Sequence, residues 1–448
     1  MVESKGPSGF KSIAYGLITF SLPLILSGIL QQLYNWADAF IVGNVEGERA
    51  LAAVGATTTV INFYLMAITG FTLGLSILVG QRFGGGRTDS VPQVLSTFSV
   101  TLGVFFAILA AVGIWLTSPI LHLLHTTPDT VQLAEAYLRI IFLGIPFLAV
   151  YNVYSAALRG MGDSRAPFLA VLISSVVNVA LDLYFVAVLH WGVSGAAIAT
   201  VVSQAAMTVF IILYAIKKYP VLRFRLRRGI VDRQTLAGGL RFGIPPMIQS
   251  SVSAFGSLLL QNFMNGFGTQ TVAAITTAYR IDSIALLPII NLGSGISTIV
   301  AQSYGAGEEK KTRKIYMVGT VLMAVVSVLM TVLVVPVGGP LIALFGAGPE
   351  AVEIGRGFFQ RLASFYVVYG LATATRGYLE GIGDVVYSSV AGIVSLACRI
   401  IASYAFASVF GNSIIAYAEA FSWGILLLLY VARMLWKRAQ ARPSASNA

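Results

Sequence analysis

Three side chains near the start of the chain, Gln31, Tyr34 and Asp38, fall along one helical face of the run SLPLILSGILQQLYNWADAFIVG, Ser21 to Gly43. Asp38 stands deep in an apolar stretch of membrane length. A carboxylate there costs at least ~2.5–3.5 kcal/mol on insertion scales, so it implies a use or a partner. Further on, Asn178 and Asp182 stand four apart in ISSVVNVALDLYFV, and Thr200 lies in SGAAIATVVSQ. Asp38, Asn178, Asp182 and Thr200 are all oxygen donors, suited to a hard monovalent cation such as Na+. Two acids brought close together suit a proton equally well. The plainer reading is that these groups only hydrogen-bond their neighbours to fasten helices, and it applies most readily to Thr200. Tyr34 and Gln31, with Tyr137 and Asn152, are candidates for lining a substrate cavity, as are Arg280 and Asp282, which stand two apart and so point in different directions.

The elements that must carry these groups follow from composition. Of 448 residues, 57% are hydrophobic and 10% charged, where a soluble domain carries about 25% charged residues. Apolar runs of membrane length separated by short charged loops identify an all-α polytopic membrane protein. The 45 glycines suit close helix packing, as in Gly70-x-x-x-Gly74 and the nearby Gly80 and Gly84. The net charge of +11 does not imply a nucleic-acid partner. Of 29 Lys and Arg, 23 fall on one set of loops and ends, two (Arg49, Arg356) on the other, and four within helices. That asymmetry places both termini in the cytoplasm. The single cysteine, Cys398, excludes a disulfide framework or multi-Cys metal site. The polar start, MVESKGPSGFKS, runs directly into a full span, with no cleavable signal peptide. His122, His125 and His190 fall in outer loops, and no nucleotide loop, serine elbow or metal-ligand cluster appears. The chain reads as no enzyme, with no cofactor beyond a coupling H+ or Na+.

Twelve spans account for the hydropathy: 13–43, 51–80, 93–117, 131–157, 166–188 and 193–216, then 242–265, 271–302, 314–336, 351–377, 385–409 and 413–436. Residues 1–216 form an N-terminal six-helix lobe and 242–448 a C-terminal one, joined by the basic cytoplasmic linker Lys217–Arg241, a candidate site for membrane lipids. The halves repeat. Pro23 answers to Pro245, Gln81-Arg-Phe-Gly84 to Gln302-Ser-Tyr-Gly305, and Gly162-Asp163 to Gly383-Asp384, at an almost constant offset along the chain. Six helices followed by six in the same orientation make a parallel repeat, two lobes around a path. The second lobe does not copy the chemistry. Counting from shared glycines and prolines, Asn178 becomes Arg399, Asp182 becomes Ser403, Thr200 becomes Glu419 and Asp38 becomes Leu260. Arg399 and Glu419 are expected to form a structural ion pair.

QQLYNWADAFIVG, ALRGMGDSRAPF and SSVVNVALDLYFV resemble the multidrug and toxic compound extrusion (MATE) family, and the first-lobe acids resemble its DinF-like branch. The likeness runs from about Gly16 to Trp436. It implies two lobes with alternating access, drug export driven by inward H+ or Na+, and a cation site at Asp38, Asn178, Asp182 and Thr200 with Tyr34 and Tyr137 beside it. Spans seven and ten hold no Asp or Glu in their membrane cores, which departs from the NorM-like pattern of that family. The expected function is a monomeric, cation-coupled multidrug efflux antiporter of the prokaryotic cytoplasmic membrane, acting on amphipathic, often cationic small molecules. The alternatives are a lipid-linked sugar flippase of the same broader superfamily and, in a different class, a channel or non-transporting membrane receptor.

Overall fold

The computed structural model describes residues 9–124, 126–222, 231–346 and 348–440. His125, the centre of the basic linker and the residues nearest both termini lie outside them. Among the described residues the regular structure is entirely helical. The helices are α1 Phe10–Glu46, α2 Glu48–Gly84, α3 Val91–Trp115, α4 Thr117–Leu123, α5 Pro128–Gly160, α6 Arg165–Asp182, α7 Gly192–Lys218, α8 Arg233–Asn265, α9 Thr269–Ala285, α10 Leu287–Gly305, α11 Glu309–Leu344, α12 Pro349–Leu362, α13 Tyr366–Gly381, α14 Val385–Phe410 and α15 Ile414–Gln440. Among the described residues, eight runs are long and apolar enough to cross a membrane, nine when α9 and α10 count as one span bent by 41°. The run Val385–Gln440 holds two helices, parted at Gly411–Ser413. With α8 and the α12–α13 pair, these make the twelve spans that the hydropathy predicts. Trp115, Leu344 and Leu428 stand exposed along them, as lipid-facing side chains do.

Two expected single rods are broken. Span eight bends at Leu286, two residues ahead of Pro288 in the first turn of α10, because the proline has no N–H to donate to the Ile284 carbonyl and its ring crowds that carbonyl. Span ten passes through a 3-10 turn at Ala363–Phe365. Pro23 and Pro245 sit inside α1 and α8 rather than at their starts. Helices buried among neighbours can absorb the missing backbone bond.

The chain forms two compact units. One comprises Leu26–Met247; the other comprises the described residues of Met1–Ile25 and Ile248–Ala448. The division falls inside α1 and α8. The repeat is visible in the backbone of each unit. Gly162 and Gly383 both have φ 93, closing α5 and α13 in a left-handed conformation that other residues adopt only at a cost. Gly86 and Gly307 share φ 73, and Gly47 and Gly268, at equivalent places in the repeat, have 84 and 89. Packing repeats as well. A Cβ on Gly160 would lie 2.7 Å from the Ser76 carbonyl oxygen, and one on Gly381 2.8 Å from that of Ser297. These contacts seat α5 on α2 and α13 on α10.

Each unit is also clasped at its basic end. In one, Asp163 accepts hydrogen bonds from Lys218 Nζ at 2.9 Å, the Tyr219 hydroxyl at 3.0 Å, the Tyr214 hydroxyl at 3.2 Å, and the backbone N–H groups of Arg165 and Ala166. In the other, Asp384 accepts from Arg433 Nε at 2.7 Å and pairs with Lys437 Nζ at 3.1 Å. Tyr214 and Lys218 stand one turn apart near the end of α7, as Arg433 and Lys437 do near the end of α15, so the clasp belongs to the repeat. Burial alone would push the Asp163 carboxyl up, but Lys218, the Ala166 amide and Tyr219 together hold it below the usual carboxylate range. Burial likewise opposes Asp384, and Arg433 and Lys437 outweigh it.

Candidate functional site

The Leu26–Met247 unit gathers most of the oxygen donors singled out in the sequence. α1 brings Gln31, Tyr34 and Asp38, and α6 brings Asn178 and Asp182 one turn apart on its last two turns. The carboxyl groups of Asp38 and Asp182 lie within each other's electrostatic reach. Tyr137 of α5, 5% exposed, sits in the field of both acids and of Tyr34. Tyr34 in turn interacts with the Gln31 side chain and with Asp38. Gln31 itself is exposed, and Tyr34 and Asp38 further along the stripe are half-buried.

Unmet bonding is concentrated in this group. Asp182 is 0% exposed and Asn178 1%, yet neither Asp182 oxygen and neither Asn178 amide atom has a hydrogen-bond partner. Asp38 Oδ1 is in the same condition. An unpaired buried polar group costs about 1–3 kcal/mol, and more when it is charged, so a cluster of them signals a site that something else completes. Two anionic carboxylates cannot donate to one another. A monovalent cation among their oxygens, or a proton on one of them, would satisfy the cluster. The apolar wall beside it comprises Ile41, Val186, Ala196 and Ala197, which pack with Tyr137.

Thr200 stands one turn beyond Ala196 and Ala197 on α7 and is half-buried; its carbonyl accepts the Ser203 hydroxyl at 2.8 Å. Asn152 is buried and donates its amide N–H to the Leu148 carbonyl of its own helix at 2.9 Å. Arg280 and Asp282 belong to the other unit. Arg280 is exposed, whereas Asp282 is buried and accepts a hydrogen bond from Tyr366. The expected pair is present: Arg399 Nη2 lies 2.9 Å from Glu419 Oε2, with the Tyr279 hydroxyl bonded to both. The sequence reading missed one local feature. Directly after Asp182 the helix widens into a π segment, Leu183–Val188, the kind of bulge that recurs at functional sites.

The MatE family pattern matches this chain twice, over residues 23–184 and 245–405. The chain belongs to the MATE family. The two MATE matches are offset from one another as the halves of the internal repeat are, the first opening at Pro23 and the second at Pro245. Among relatives, the chain is similar to the probable multidrug resistance protein YpnP of Bacillus subtilis, 29% identical over 379 residues and 85% of each chain. It is similar to the probable multidrug resistance protein NorM of Thermotoga maritima at 24% identity, over 85% of this chain and 82% of that one. Among solved structures, an outward-facing multidrug resistance MATE family transporter of the MOP superfamily superposes with a TM-score of 0.86 at 22% identity, covering 96% of both chains. A MOP superfamily transporter from Pyrococcus furiosus, reported with a binding pocket of reversed polarity, superposes with a TM-score of 0.85 at 23% identity, also over 96% of both. At these identities the structures establish the MATE fold.

Proposed function

We propose that this protein is a multidrug exporter of the bacterial cytoplasmic membrane, driven by H+ or Na+ entering through the Asp38–Asp182 site. The multidrug resistance relatives support export of drug-like molecules. The single observation that supports ion coupling is the buried, unpartnered set of Asp38, Asn178 and Asp182 oxygens. Thr200 would add a fourth oxygen from α7, and Tyr34 and Tyr137 would hold the polar wall beside it, as in the DinF-like branch.

The mechanism follows from charge. With the site empty, two carboxylates in a poorly screened pocket repel. The entering cation cancels that repulsion and lets α1 and α6 close on each other. Release on the inner side restores it. This difference between loaded and empty states is what can bias two conformations of one chain. Asp38 sits on α1, whose internal Pro23 lacks the backbone donor that would hold the helix straight. A change at Asp38 would therefore bend α1 near Pro23 and reshape the drug path. Both termini and the basic linker face the cytoplasm, and the chain works as a monomer.

Purified protein in liposomes, loaded with a fluorescent cationic drug and given a pH gradient or a Na+ gradient separately, tests this reading. Drug flux that follows at least one gradient is the expected result. Flux indifferent to both would make the protein a passive carrier or channel.

A further inference from the structure

The second unit holds a different acid cluster that the coupling site does not use. Asp282 of α9 is 4% exposed and Glu419 of α15 is 7% exposed. Asp282 accepts the Tyr366 hydroxyl of α13, and its charged neighbours are Glu419 and Arg399 of α14. The guanidinium is already engaged. Arg399 Nη2 donates to Glu419 at 2.9 Å and to the Tyr279 hydroxyl at 2.7 Å, and that hydroxyl donates to Glu419 at 3.0 Å. Two buried carboxylates thus share one cation. Arginine does not give up its proton in proteins, so the guanidinium stays charged and balances only one acid. The remaining negative charge has no local partner, and an isolated buried charge is too costly to keep.

The other charged groups nearby are paired among themselves or exposed: Arg376 with Glu380 at 2.6 Å on α13, Arg356 with Glu353 at 3.4 Å on α12, and Glu350 exposed at the start of α12. α10 and the membrane part of α11 carry no Asp, Glu, Lys, Arg or His. α13 adds the tyrosines Tyr366 and Tyr369, and α12 adds Glu353 and Arg361, which line a pocket rather than the cluster. A metal cation fits poorly, because Arg399 repels it and the tyrosine hydroxyls present donors to the carboxylates. A proton fits.

That pocket, of about 250 Å³, lies next to residues that neighbour the cluster in the chain. Its lining includes Ile275, one turn before Tyr279, and Ala416, three residues before Glu419; Phe358, also in the lining, packs its ring edge-on against Tyr279 at 5.4 Å. Its polar lining is Glu353, Gln360, Arg361, Asn412 and Ser413. Asn412 precedes the first turn of α15, while the Arg433 and Lys437 clasp lies on the last turns of that helix. The pocket therefore opens at the end of the unit remote from the clasp.

We propose that Asp282 and Glu419, held by Arg399, Tyr279 and Tyr366, form a second proton-binding site, reached through the Glu353–Asn412 pocket and separate from the Asp38–Asp182 pair. Its consequence for transport rests on the exporter reading: each cycle takes up a proton here, whichever ion fills the first site.

Infrared difference spectra of the purified wild type, taken between acid and alkaline pH, test proton binding without any transport. A band from a buried protonated carboxyl is expected to remain in Asp38→Asn and to vanish in Asp282→Asn. The two acids titrate as a pair, so the band is also expected to change in Glu419→Gln. Tyr366→Phe, which removes one hydroxyl and keeps the ring, is expected to shift its frequency; a merely packing role for Asp282 would leave no such band to shift. Spectra of Asp282→Asn and Glu419→Gln identical to wild type would overturn the proposal. In liposomes, Asp282→Asn is expected to lower the protons moved per exported molecule by one, and an unchanged ratio would also overturn it. Absence of wild-type export alongside an intact band would sink the exporter reading and leave this site standing.

Discussion

Asp163→Ala removes the acceptor around which one basic-end clasp is built, and its cost can be worked from the contacts. The backbone N–H groups of Arg165 and Ala166, 3.1 and 3.2 Å from Asp163 Oδ1, lose the group that caps α6, a loss of about 1 kcal/mol. The Tyr219 and Tyr214 hydroxyls lose an acceptor; Tyr214 keeps its contact with Lys218, so the two together cost about 1 kcal/mol. Lys218 is 48% exposed and rehydrates, so its ion pair adds only about 1 kcal/mol. The total is about 3 kcal/mol, a fall of about 6–12 °C in melting temperature for a unit of this size. Asp163→Asn keeps the capping oxygen and should lose roughly half as much. The sign of the pH effect follows from the depressed carboxyl. Its stabilisation is present above the unfolded value, near ~3.9, and is lost as pH falls through the lower folded value. Differential scanning fluorimetry in detergent micelles should therefore show the gap between wild type and Asp163→Asn closing as pH falls below the ordinary carboxylate range. Equal melting of Asp163→Ala and wild type at neutral pH would refute the clasp, and a gap independent of pH would refute its ionic part.

Other expectations are simpler to state. Arg399→Ala should cost about 3–5 kcal/mol, because it strands Glu419, and Glu419→Ala in the same chain should recover part of the loss; strictly additive losses would mean the residues are not partners. Gly160→Val should lower expression and melting temperature, since even its Cβ would crowd Val79 at 2.8 Å and the Ser76 carbonyl; normal yield would mean α2 and α5 can part freely. A cysteine introduced at Gln234, in a chain with Cys398 replaced by serine, should resist an impermeant thiol reagent applied to intact cells. Labelling from outside would invert the assigned orientation.

Spans and repeat were legible because they rest on local signals: apolar length, and glycine and proline marks that recur in the second half at an almost constant offset. The acids Asp38 and Asp182 announced themselves by their cost in a membrane helix. The Arg399–Glu419 pair was legible by counting along the repeat. Contacts across long stretches of chain were not. Asp163 and Asp384 served as markers of the repeat, but Lys218 and Arg433, 55 and 49 residues onward, gave no sign that they close on them. Tyr366 meets Asp282 across 84 residues, and nothing in its own span suggests it. The break at Leu286 was readable in principle, since Pro288 cannot donate the backbone bond that a continuous helix would need there. The division of α1 between two units at Ile25 was not, because the hydrophobic pattern runs through it unchanged.

The central claim is that ion entry at Asp38 and Asp182 drives export. Asp38→Asn keeps size and hydrogen bonding and removes the charge that loading cancels. Measured in liposomes beside wild type, under separate pH and Na+ gradients, purified Asp38→Asn should fold and bind drug yet fail to export it against a gradient. Export at the wild-type rate, with wild-type ion dependence, would contradict the account.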